Sequence, residues 1–345
     1  MVKSFFASCN SYSGFNSYFA EIFNSKEFDK VFVLKGGPGT GKSTIMKKAV
    51  KHFERINADI EQFYCSSDIN SLDGVIIEKN GKKVAILDGT APHERDAVIV
   101  GAIDEIINLG ESLDYSWVEK YRQSISQLTD QKSAAYGTAY SYLRCAGACD
   151  NEICTNIKKR FNINTAQKYV RDLNLTRPHH NISKNKTRLI SSFSKDGYQR
   201  ISPIPNCENK VVKLGGNIYS AREFLSFLTS RYDGDCVISP YPLNTGFTET
   251  IYLPRENILI IIDDNASDIN ADVFLSDSSI DNEQIRVMEQ THNELLTESK
   301  RWFNIASDIH FRLEDIYSRC MNFEINDKIF DKICEKITKV CDIEK

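Results

Sequence analysis

Hydrophobic positions in this chain fall into short runs that are separated by polar or glycine-containing segments. Runs of four to seven residues that are rich in β-branched and aromatic side chains predict buried strands. The clearest runs are residues 31–34, 60–65, 84–88, 211–216 and 257–263. Short buried strands that alternate with longer helical patterns are typical of an α/β protein with a mainly parallel sheet.

Longer stretches with apolar residues at helical spacing predict helices over about residues 97–109, 115–145 and 282–320. In the last segment, residues 326–345, the apolar side chains fall on one helical stripe. We expect this final helix to close the core of the second half of the chain.

The strongest local signal follows the run at residues 31–34. Gly36, four further residues and then Gly41-Lys42-Ser43 match the Walker A pattern, between a predicted strand and a predicted helix. Glycines let backbone N–H groups converge on phosphate oxygens, and the helix N-terminus adds positive partial charge. Lys42 is expected to reach the β- and γ-phosphates, and Ser43 to bind Mg²⁺. The predicted nucleotide-binding residues are Gly36, Gly37, Pro38, Gly39, Thr40, Gly41, Lys42, Ser43 and Thr44.

Carboxylates and a histidine follow the next strands. Asp88 ends an apolar strand, which is the Walker B shape, and predicts a Mg²⁺ ligand; a cap at the end of the strand is the alternative. Gly89 follows it, where many ATPases carry a glutamate that activates water. His93 is a candidate for contacting the γ-phosphate or moving a proton, or it hydrogen-bonds locally. Asp68 and Asp73 are candidate bases or ligands of metal-bound water, or simple turn formers.

The second half of the sequence repeats features of the first at a displacement of about 175–183 residues. Gly36–Gly37 recurs at Gly215–Gly216, and Asp88 recurs at Asp263. Other repeated residues are Tyr142 at Tyr317, Arg144 at Arg319, Cys145 at Cys320 and Asn151 at Asn326. Their common order predicts a tandem duplication.

The duplication predicts a first domain over residues 1–175, a linker over 176–187 and a second domain over 188–345. Aligned in this way, Ser220-Ala221-Arg222 replaces Gly41-Lys42-Ser43. A loop without these glycines and the lysine has neither the backbone cradle nor the charge for a triphosphate. Only the first domain is therefore expected to bind nucleotide.

Three segments carry a family resemblance: residues 34–44 (LKGGPGTGKST), 65–74 (CSSDINSLDG) and 87–93 (LDGTAPH). With them the chain resembles a family of bacterial tandem P-loop proteins that are described as ATPases or nucleotide-binding proteins. The resemblance implies an α/β, P-loop NTPase-type fold, a three-layer α/β/α arrangement duplicated in tandem. It also implies nucleotide and Mg²⁺ roles for Lys42, Ser43 and Asp88. Members of that family often keep a usable Walker A loop in both halves, and this sequence does not.

Composition narrows the class of protein. The 345 residues are 41% hydrophobic and 26% charged, which is ordinary for a globular protein. A net charge of −4 argues against a protein that coats nucleic acid. The segment 155–190 is basic, which fits a solvated helix and linker better than a phosphate-binding or nucleic-acid-binding strip. No apolar run approaches the ~20 residues of a membrane span. Ten cysteines without a secretory signal favour a cytoplasmic location.

Three functions agree with these features. The first is a Mg²⁺-dependent NTPase that uses ATP or GTP, with one active site and a regulatory or scaffold second lobe. The second is a P-loop kinase with Asp68 or Asp73 as base and a small molecule or nucleotide as phosphoryl acceptor. The third is a nucleotide switch that does not hydrolyse. Arg144 is a candidate arginine finger, although its recurrence at Arg319 favours a role in the fold. Base specificity and oligomeric state stay open.

Overall fold

The computed structural model describes residues 1–92, 95–173, 175, 185–201, 210–263, 267–276 and 282–343. The strands of the first half are β1 (Val2–Phe6), β2 (Ser8–Ser11), β3 (Gly14–Ser17), β4 (Lys30–Lys35), β5 (Asp59–Tyr64), β6 (Leu72–Lys79), β7 (Lys82–Asp88) and β8 (Asp104–Asn108). Its helices are α1 (Phe19–Ile22), α2 (Lys42–Glu54), α3 (Tyr115–Lys120), α4 (Arg122–Arg160) and α5 (Ile163–Asp172).

The second half follows with a similar series. Its strands are β9 (Asn185–Thr187), β10 (Ser191–Ser194), β11 (Gly197–Arg200), β12 (Lys210–Gly215), β13 (Cys236–Pro240), β14 (Thr248–Leu253), β15 (Ile258–Ile262) and β16 (Ile269–Asn270). Its helices are α6 (Ile218–Arg231), α7 (Asn282–Ser318) and α8 (Phe323–Val340). Short 3₁₀ helices occupy Ser25–Glu27, Leu109–Ser112 and Ala271–Phe274.

The two halves build sheets of the same topology. The first sheet has the order β1-β5-β6-β7-β4-β8, and the second has the order β9-β13-β14-β15-β12-β16. In each sheet only the third strand, β6 or β14, runs antiparallel to its neighbours. A two-stranded hairpin, β2-β3 or β10-β11, accompanies each sheet. The chain is therefore a mixed α/β protein with two mostly parallel sheets, and the repeat of order and direction agrees with a duplication.

The register of the central strands corrects two predicted equivalences. Gly215 stands at the position of Lys35, and not of Gly36, because each pairs at the same point with the neighbouring edge strand. Leu34 is the last core residue of β4 and pairs with Asp88, whereas its counterpart Leu214 on β12 pairs with Ile262. Ile262, and not Asp263, thus occupies the position of Asp88. Because successive side chains of a strand point to opposite faces, a shift of one residue turns Asp263 away from the helix-covered side. Among the described residues, the second half therefore has no aspartate at the position of Asp88.

Each half sends its last helix to the sheet of the other half. Ile333 and Ile337 of α8 are buried in the core that covers the first sheet together with α2. Ala166 and Val170 of α5 are buried on the second sheet together with α6. The expectation that residues 326–345 close the second core is wrong, and each core extends across the predicted domain limits.

The long helices α4 and α7 explain this exchange. At ~1.5 Å per residue, the 39 residues of α4 span about 58 Å. The two helices run antiparallel, since a bridge joins Leu113 to Met321 at one end and another joins Phe161 to Leu275 at the other. Each helix carries the chain from the sheet of its own half to the sheet of the other half. Despite their length, no helix within the described ranges is apolar enough over a sufficient span to cross a membrane.

The predicted helix at residues 97–109 is a strand instead. Its second part forms β8, the edge strand beside β4. Asp104, which is fully buried, starts this strand, and its carboxylate accepts hydrogen bonds from the N–H groups of Val98 and Ile99 and from the Ser25 hydroxyl. These bonds fold the preceding residues into a loop, and the isoleucines that follow favour extended backbone.

The predicted α/β/α arrangement has a layer of helices on each face of the sheet. In the described residues, a full layer of helices covers only one face of each sheet. Phe32 and Leu34 of β4 face α2 and α8, whereas Val31 and Val33 face the short helix α1 and, from the second half, Ile190. A cavity of about 380 Å³ lies between the two sheets, where the faces without a full helical layer meet. Each sheet thus has a full helical layer on one face only, because the other half lies against the opposite face.

Mutations in the exchanged helices should have crossed effects. Ile337→Ala leaves a cavity in the first core and should lower the free energy of unfolding by ~2–4 kcal/mol. Hydrogen exchange should accelerate at β4 and α2 but not at β12 and α6. The matched variant Val170→Ala should do the reverse. Faster exchange at β12 in Ile337→Ala would contradict the exchange of helices.

Candidate functional site

A six-residue loop, Gly36–Gly41, connects the end of β4 to the start of α2. Gly39 and Gly41 have φ angles of +71° and +88°, which L-residues with side chains rarely adopt. Their surroundings also exclude a side chain: a β-carbon on Gly39 would lie 2.6 Å from the backbone oxygen of Glu314, and one on Gly41 would lie 2.8 Å from Nδ2 of Asn326. The loop therefore needs glycine at both positions, for conformation and for space.

Lys42 is the first residue of α2, and its ammonium group bends back over the loop. Its Nζ donates to the backbone oxygens of Gly36 at 2.6 Å and Gly37 at 2.9 Å. The same nitrogen lies 3.6 Å from Oδ2 of Asp88. The hydroxyl of Thr40 donates to the Gly37 oxygen at 2.8 Å and stabilises the turn. Pro38 lies in the loop and Thr44 in the first turn of α2. A cation and the positive end of a helix thus meet at one place, which suits an anion.

Asp88 stands at the end of β7, directly beside β4 in the sheet. Its Oδ1 accepts hydrogen bonds from the N–H of Thr90 at 2.8 Å and from the Thr90 hydroxyl at 2.5 Å. Burial raises the pKa of Asp88 above its usual value, the negative charge of Asp73 adds to this rise, and Lys42 opposes it. The Asp88 carboxylate therefore lies in a site with a second acidic residue and one cation.

Ser43 and Asp73 meet where α2 approaches the start of β6. Oγ of Ser43 accepts the N–H of Leu72 at 2.9 Å, which leaves a lone pair on that oxygen for another partner. Asp73, the next residue after Leu72, is buried and close enough to shift the pKa of Asp88. The structure thus brings together Lys42, Ser43, Asp73 and Asp88.

Asp68 is engaged in a turn of its own. Oδ1 of Asp68 accepts the backbone N–H of Asn70 at 3.1 Å and its side-chain amide at 3.3 Å. This is the turn-forming geometry that was the alternative interpretation of Asp68. His93 lies outside the described residues.

Two residues near the end of the second half contact the loop Gly36–Gly41, and the sequence did not indicate either of them. Asn326, on α8, is buried; its amide donates to the backbone oxygen of Thr40 at 2.9 Å, and its Oδ1 accepts the hydroxyl of Ser112 at 2.7 Å. On α7, the ring of Tyr317 lies 3.5 Å from the position of a β-carbon on Gly37. The recurrence of Tyr142 and Asn151 at these two positions was visible, but it pointed only to the duplication.

Arg144 lies elsewhere. Its guanidinium donates to the hydroxyl of Ser141 at 2.8 Å, one turn earlier on α4. It lines an open groove together with Tyr12, Asn151 and Asn244. The structure therefore does not bring the candidate arginine finger to the loop Gly36–Gly41.

The connection from β12 to α6, which is the corresponding place in the second half, forms no comparable loop. Only Gly216 and Asn217 separate β12 from α6. Arg222 is buried, with Nη1 3.7 Å from Oδ1 of Asp150 and the guanidinium carbon 3.5 Å from the ring centre of Tyr241. Its charge thus lies beside an internal carboxylate and an aromatic face. The two-residue connection is too short to surround a phosphate group.

The helix start also corrects the predicted match of Ala221 with Lys42. The N–H of Ala221 bonds to the oxygen of Asn217, just as the N–H of Ile45 bonds to that of Gly41. Ala221 and Ile45 are both buried core residues of their helices. Ala221 therefore corresponds to Ile45, and the shorter connection accounts for the difference.

The residues present fit a phosphate group with Mg²⁺. Glycine-rich backbone, the N-terminus of α2 and Lys42 would hold the phosphates, and Ser43 with Asp88 would hold the ion. Within the described ranges, no group of three or more His, Cys, Asp or Glu side chains forms a metal site by itself. Mg²⁺ commonly binds through one or two protein ligands together with substrate phosphates, so two ligands suit this ion.

A comparison with known proteins finds one limited similarity. A family model described as Nephrocystin 3, N-terminal, matches residues 15–75. This segment extends from β3 into β6 and contains the loop Gly36–Gly41. No curated protein and no solved structure matches the chain. The match covers less than half of the chain and lies entirely in its first half.

Asn326→Ala tests the contact between α8 and the loop. It leaves the Thr40 oxygen and the Ser112 hydroxyl without their partner, so the free energy of unfolding should fall by ~1–3 kcal/mol in urea titrations. Hydrogen exchange should accelerate in residues 36–41. Asn156→Ala is the control, because that amide bonds only to Glu152 of its own helix. Equal stability of the two variants would contradict the role of Asn326.

Proposed function

We propose that the first half binds a nucleoside triphosphate with Mg²⁺ and hydrolyses it at a single site. The observation that carries this proposal is the loop Gly36–Gly41, with Lys42 on its carbonyl oxygens and 3.6 Å from the carboxylate of Asp88. Strand, glycine loop, helix and the aspartate of the neighbouring strand are the parts of a P-loop site. The likeness of residues 34–44 to tandem P-loop ATPases supports the same function.

Each residue has a separate role in this proposal. Lys42 exchanges the oxygens of Gly36 and Gly37 for those of the β- and γ-phosphates. Ser43 and Asp88 hold the metal ion, which neutralises charge on the phosphates when it is bound. The N–H groups of the loop and of the first turn of α2 orient the phosphate chain. The P-loop reads phosphates only, so ATP and GTP are both candidates.

Asp73 is the preferred base. Gly89 stands where many ATPases carry a glutamate, so the carboxylate that accepts a proton from water has to come from another strand. Asp73 is buried and electrostatically coupled to Asp88, whereas Asp68 is engaged in its own turn. A carboxylate close to the metal ligand suits proton removal from an attacking water molecule.

A P-loop kinase is the second candidate, because Asp73 would serve equally well as base for the hydroxyl of a small acceptor. Phosphate release from Mg²⁺-ATP, measured with and without a pool of metabolites, distinguishes the two. Release in the absence of the pool supports the hydrolase. ADP production that requires the pool supports the kinase. Binding without turnover under both conditions supports a nucleotide switch.

The second half acts as a scaffold in this proposal. Its connection between β12 and α6 is short, and Ile262 replaces the aspartate that would bind metal. Arg222 is held by Asp150 and Tyr241 inside the protein. A cytoplasmic location stays a prediction.

Lys42→Ala is the test of nucleotide binding. At 100 times the dissociation constant, ATP should add ~2.7 kcal/mol to the stability of the wild type. If the variant binds 100-fold more weakly, the same concentration adds only ~0.4 kcal/mol. Lys51→Ala, an exposed lysine on the same helix, is the control for the change in charge. A wild type that neither ATP nor GTP stabilises in thermal unfolding would contradict the proposal.

Asp88→Asn is the test of the metal role. It should leave nucleotide binding without Mg²⁺ within a few-fold of the wild type, because the loop and Lys42 are retained. Mg²⁺-dependent turnover should fall by about 100-fold or more. Asp263→Asn in the second half should leave both quantities unchanged. Full Mg²⁺-dependent activity in Asp88→Asn would assign the metal role to another carboxylate, with Asp73 as the first choice.

A further inference from the structure

An exposed aromatic ring of the second half lies beside the glycine loop. Phe323 is the first residue of α8, and 47% of this residue is exposed. Its Cε1 atom lies 3.7 Å from the position of a β-carbon on Gly41, the last residue of the loop. The ring thus contacts the loop and still keeps apolar surface open to water, which another planar group can cover.

Contacts between α8 and α2 hold Phe323 in this position. Asn326, three residues later and on the same face of α8, donates its amide to the backbone oxygen of Thr40 at 2.9 Å. The next residue, Asp327, forms an ion pair with Lys48 of α2. The first turn of α8 therefore lies at the start of α2, where the loop ends.

The two neighbours of β4 distinguish the two ends of a bound nucleotide. On one side, β7 carries Asp88, which holds the metal ion in the proposed site; this ion bridges the β- and γ-phosphates. On the other side lies β8, followed by a 3₁₀ helix whose Ser112 donates its hydroxyl to Asn326 at 2.7 Å. Phe323 thus lies on the β8 side of the loop, away from the terminal phosphates.

Lys42 indicates the same direction. Its Nζ lies on the backbone oxygens of Gly36 and Gly37, at the start of the loop, and the lysine of a P-loop contacts the β- and γ-phosphates. The end of the loop and the first turn of α2 are then left for the α-phosphate. Because the nucleoside is attached to the α-phosphate, it leaves the loop at the end where Phe323 lies.

We propose that Phe323 stacks on the base of the nucleotide, so that the second half supplies a base-binding surface for the site in the first half. This inference rests on the proposed nucleotide site and adds to it a residue that contacts the base. Every base has a π-face, so stacking favours a nucleotide over a bare polyphosphate without a choice between ATP and GTP. The glycine loop cannot make this distinction, because it contacts phosphates only.

Equilibrium titrations of the full chain in Mg²⁺, with the β,γ-imido analogue of ATP and with inorganic tripolyphosphate, test this inference. Both ligands present three linked phosphate groups, and only the analogue carries a nucleoside. Phe323→Ala should weaken binding of the ATP analogue ~5–150-fold, the range for the loss of one stacked base. It should change tripolyphosphate binding by less than about twofold, because the loop and Lys42 are retained. Phe311→Ala is the control, since that exposed ring lies on α7 beside Lys195.

Two further variants distinguish stacking on the base from packing on the loop. Phe323→Trp keeps an aromatic face and should bind the ATP analogue within about threefold of the wild type. Phe323→Leu keeps an apolar side chain against Gly41 but has no ring, so it should lose most of the affinity that the alanine variant loses. Thermal unfolding without ligand identifies any loss that comes from misfolding. If Phe323→Ala misfolds, the leucine and tryptophan variants decide.

The outcomes separate this inference from the proposed function. Wild-type affinity for the ATP analogue in Phe323→Ala or in Phe323→Leu overturns the inference and leaves the proposed nucleotide site intact. Equal losses for the ATP analogue and for tripolyphosphate in Phe323→Ala also overturn it, because they assign Phe323 to support of the loop. If the wild type binds neither ligand, the proposed function fails and the inference with it.

Discussion

The burial of each sheet's helix-facing side by a helix from the other half is the constraint on which this structure depends. Ile333 and Ile337 of α8 lie in the core of the first sheet, and Ala166 and Val170 of α5 lie in the core of the second. Neither sheet covers this face with its own consecutive residues alone, so each half needs the other to bury its apolar surface. The antiparallel helices α4 and α7 satisfy this need, because they are long enough to carry the chain from one sheet to the other.

The same packing determines which residues surround the candidate site. Once α8 packs on the first sheet, its first turn lies beside the glycine loop, and Asn326 reaches Thr40. The end of α7, which precedes it, then covers the loop with Glu314 and Tyr317. A site that is read locally as residues 36–44 and Asp88 is therefore completed by residues almost 300 positions away. This arrangement places residues of the second half directly at the candidate site.

The two halves also show how one topology supports two different local chemistries. Strand order and direction agree between the sheets, but the connection from the central strand to its helix has six residues in one and two in the other. The longer connection offers the carbonyl oxygens of Gly36 and Gly37 to the ammonium group of Lys42. In the second half the cation is Arg222, which is buried against Asp150 and Tyr241 and contributes to the core. The surroundings of the cation thus differ between the halves through the length of the connection, and not through the sheet.

The sequence by itself determined those features that depend on neighbouring residues. The five predicted strands, the helix after Lys42, the glycine loop and the turn at Asp68 follow from local apolar runs, from positive φ angles that favour glycine and from short-range hydrogen bonds. Only the tertiary structure decided the rest. The apolar stripe of α8 fits either sheet, so its packing on the first could not be read from its pattern. The predicted alignment of Asp263 with Asp88 was off by one residue, because sparse sequence matches do not define a strand register. Asp263 therefore lies on the opposite face of its sheet. The isoleucines around residue 104 suited a helix until a buried aspartate and a neighbouring strand required an extended chain. Contacts such as those of Glu314 and Asn326 with the loop depend on which long helix crosses to which sheet, and this is settled by the burial of both cores together.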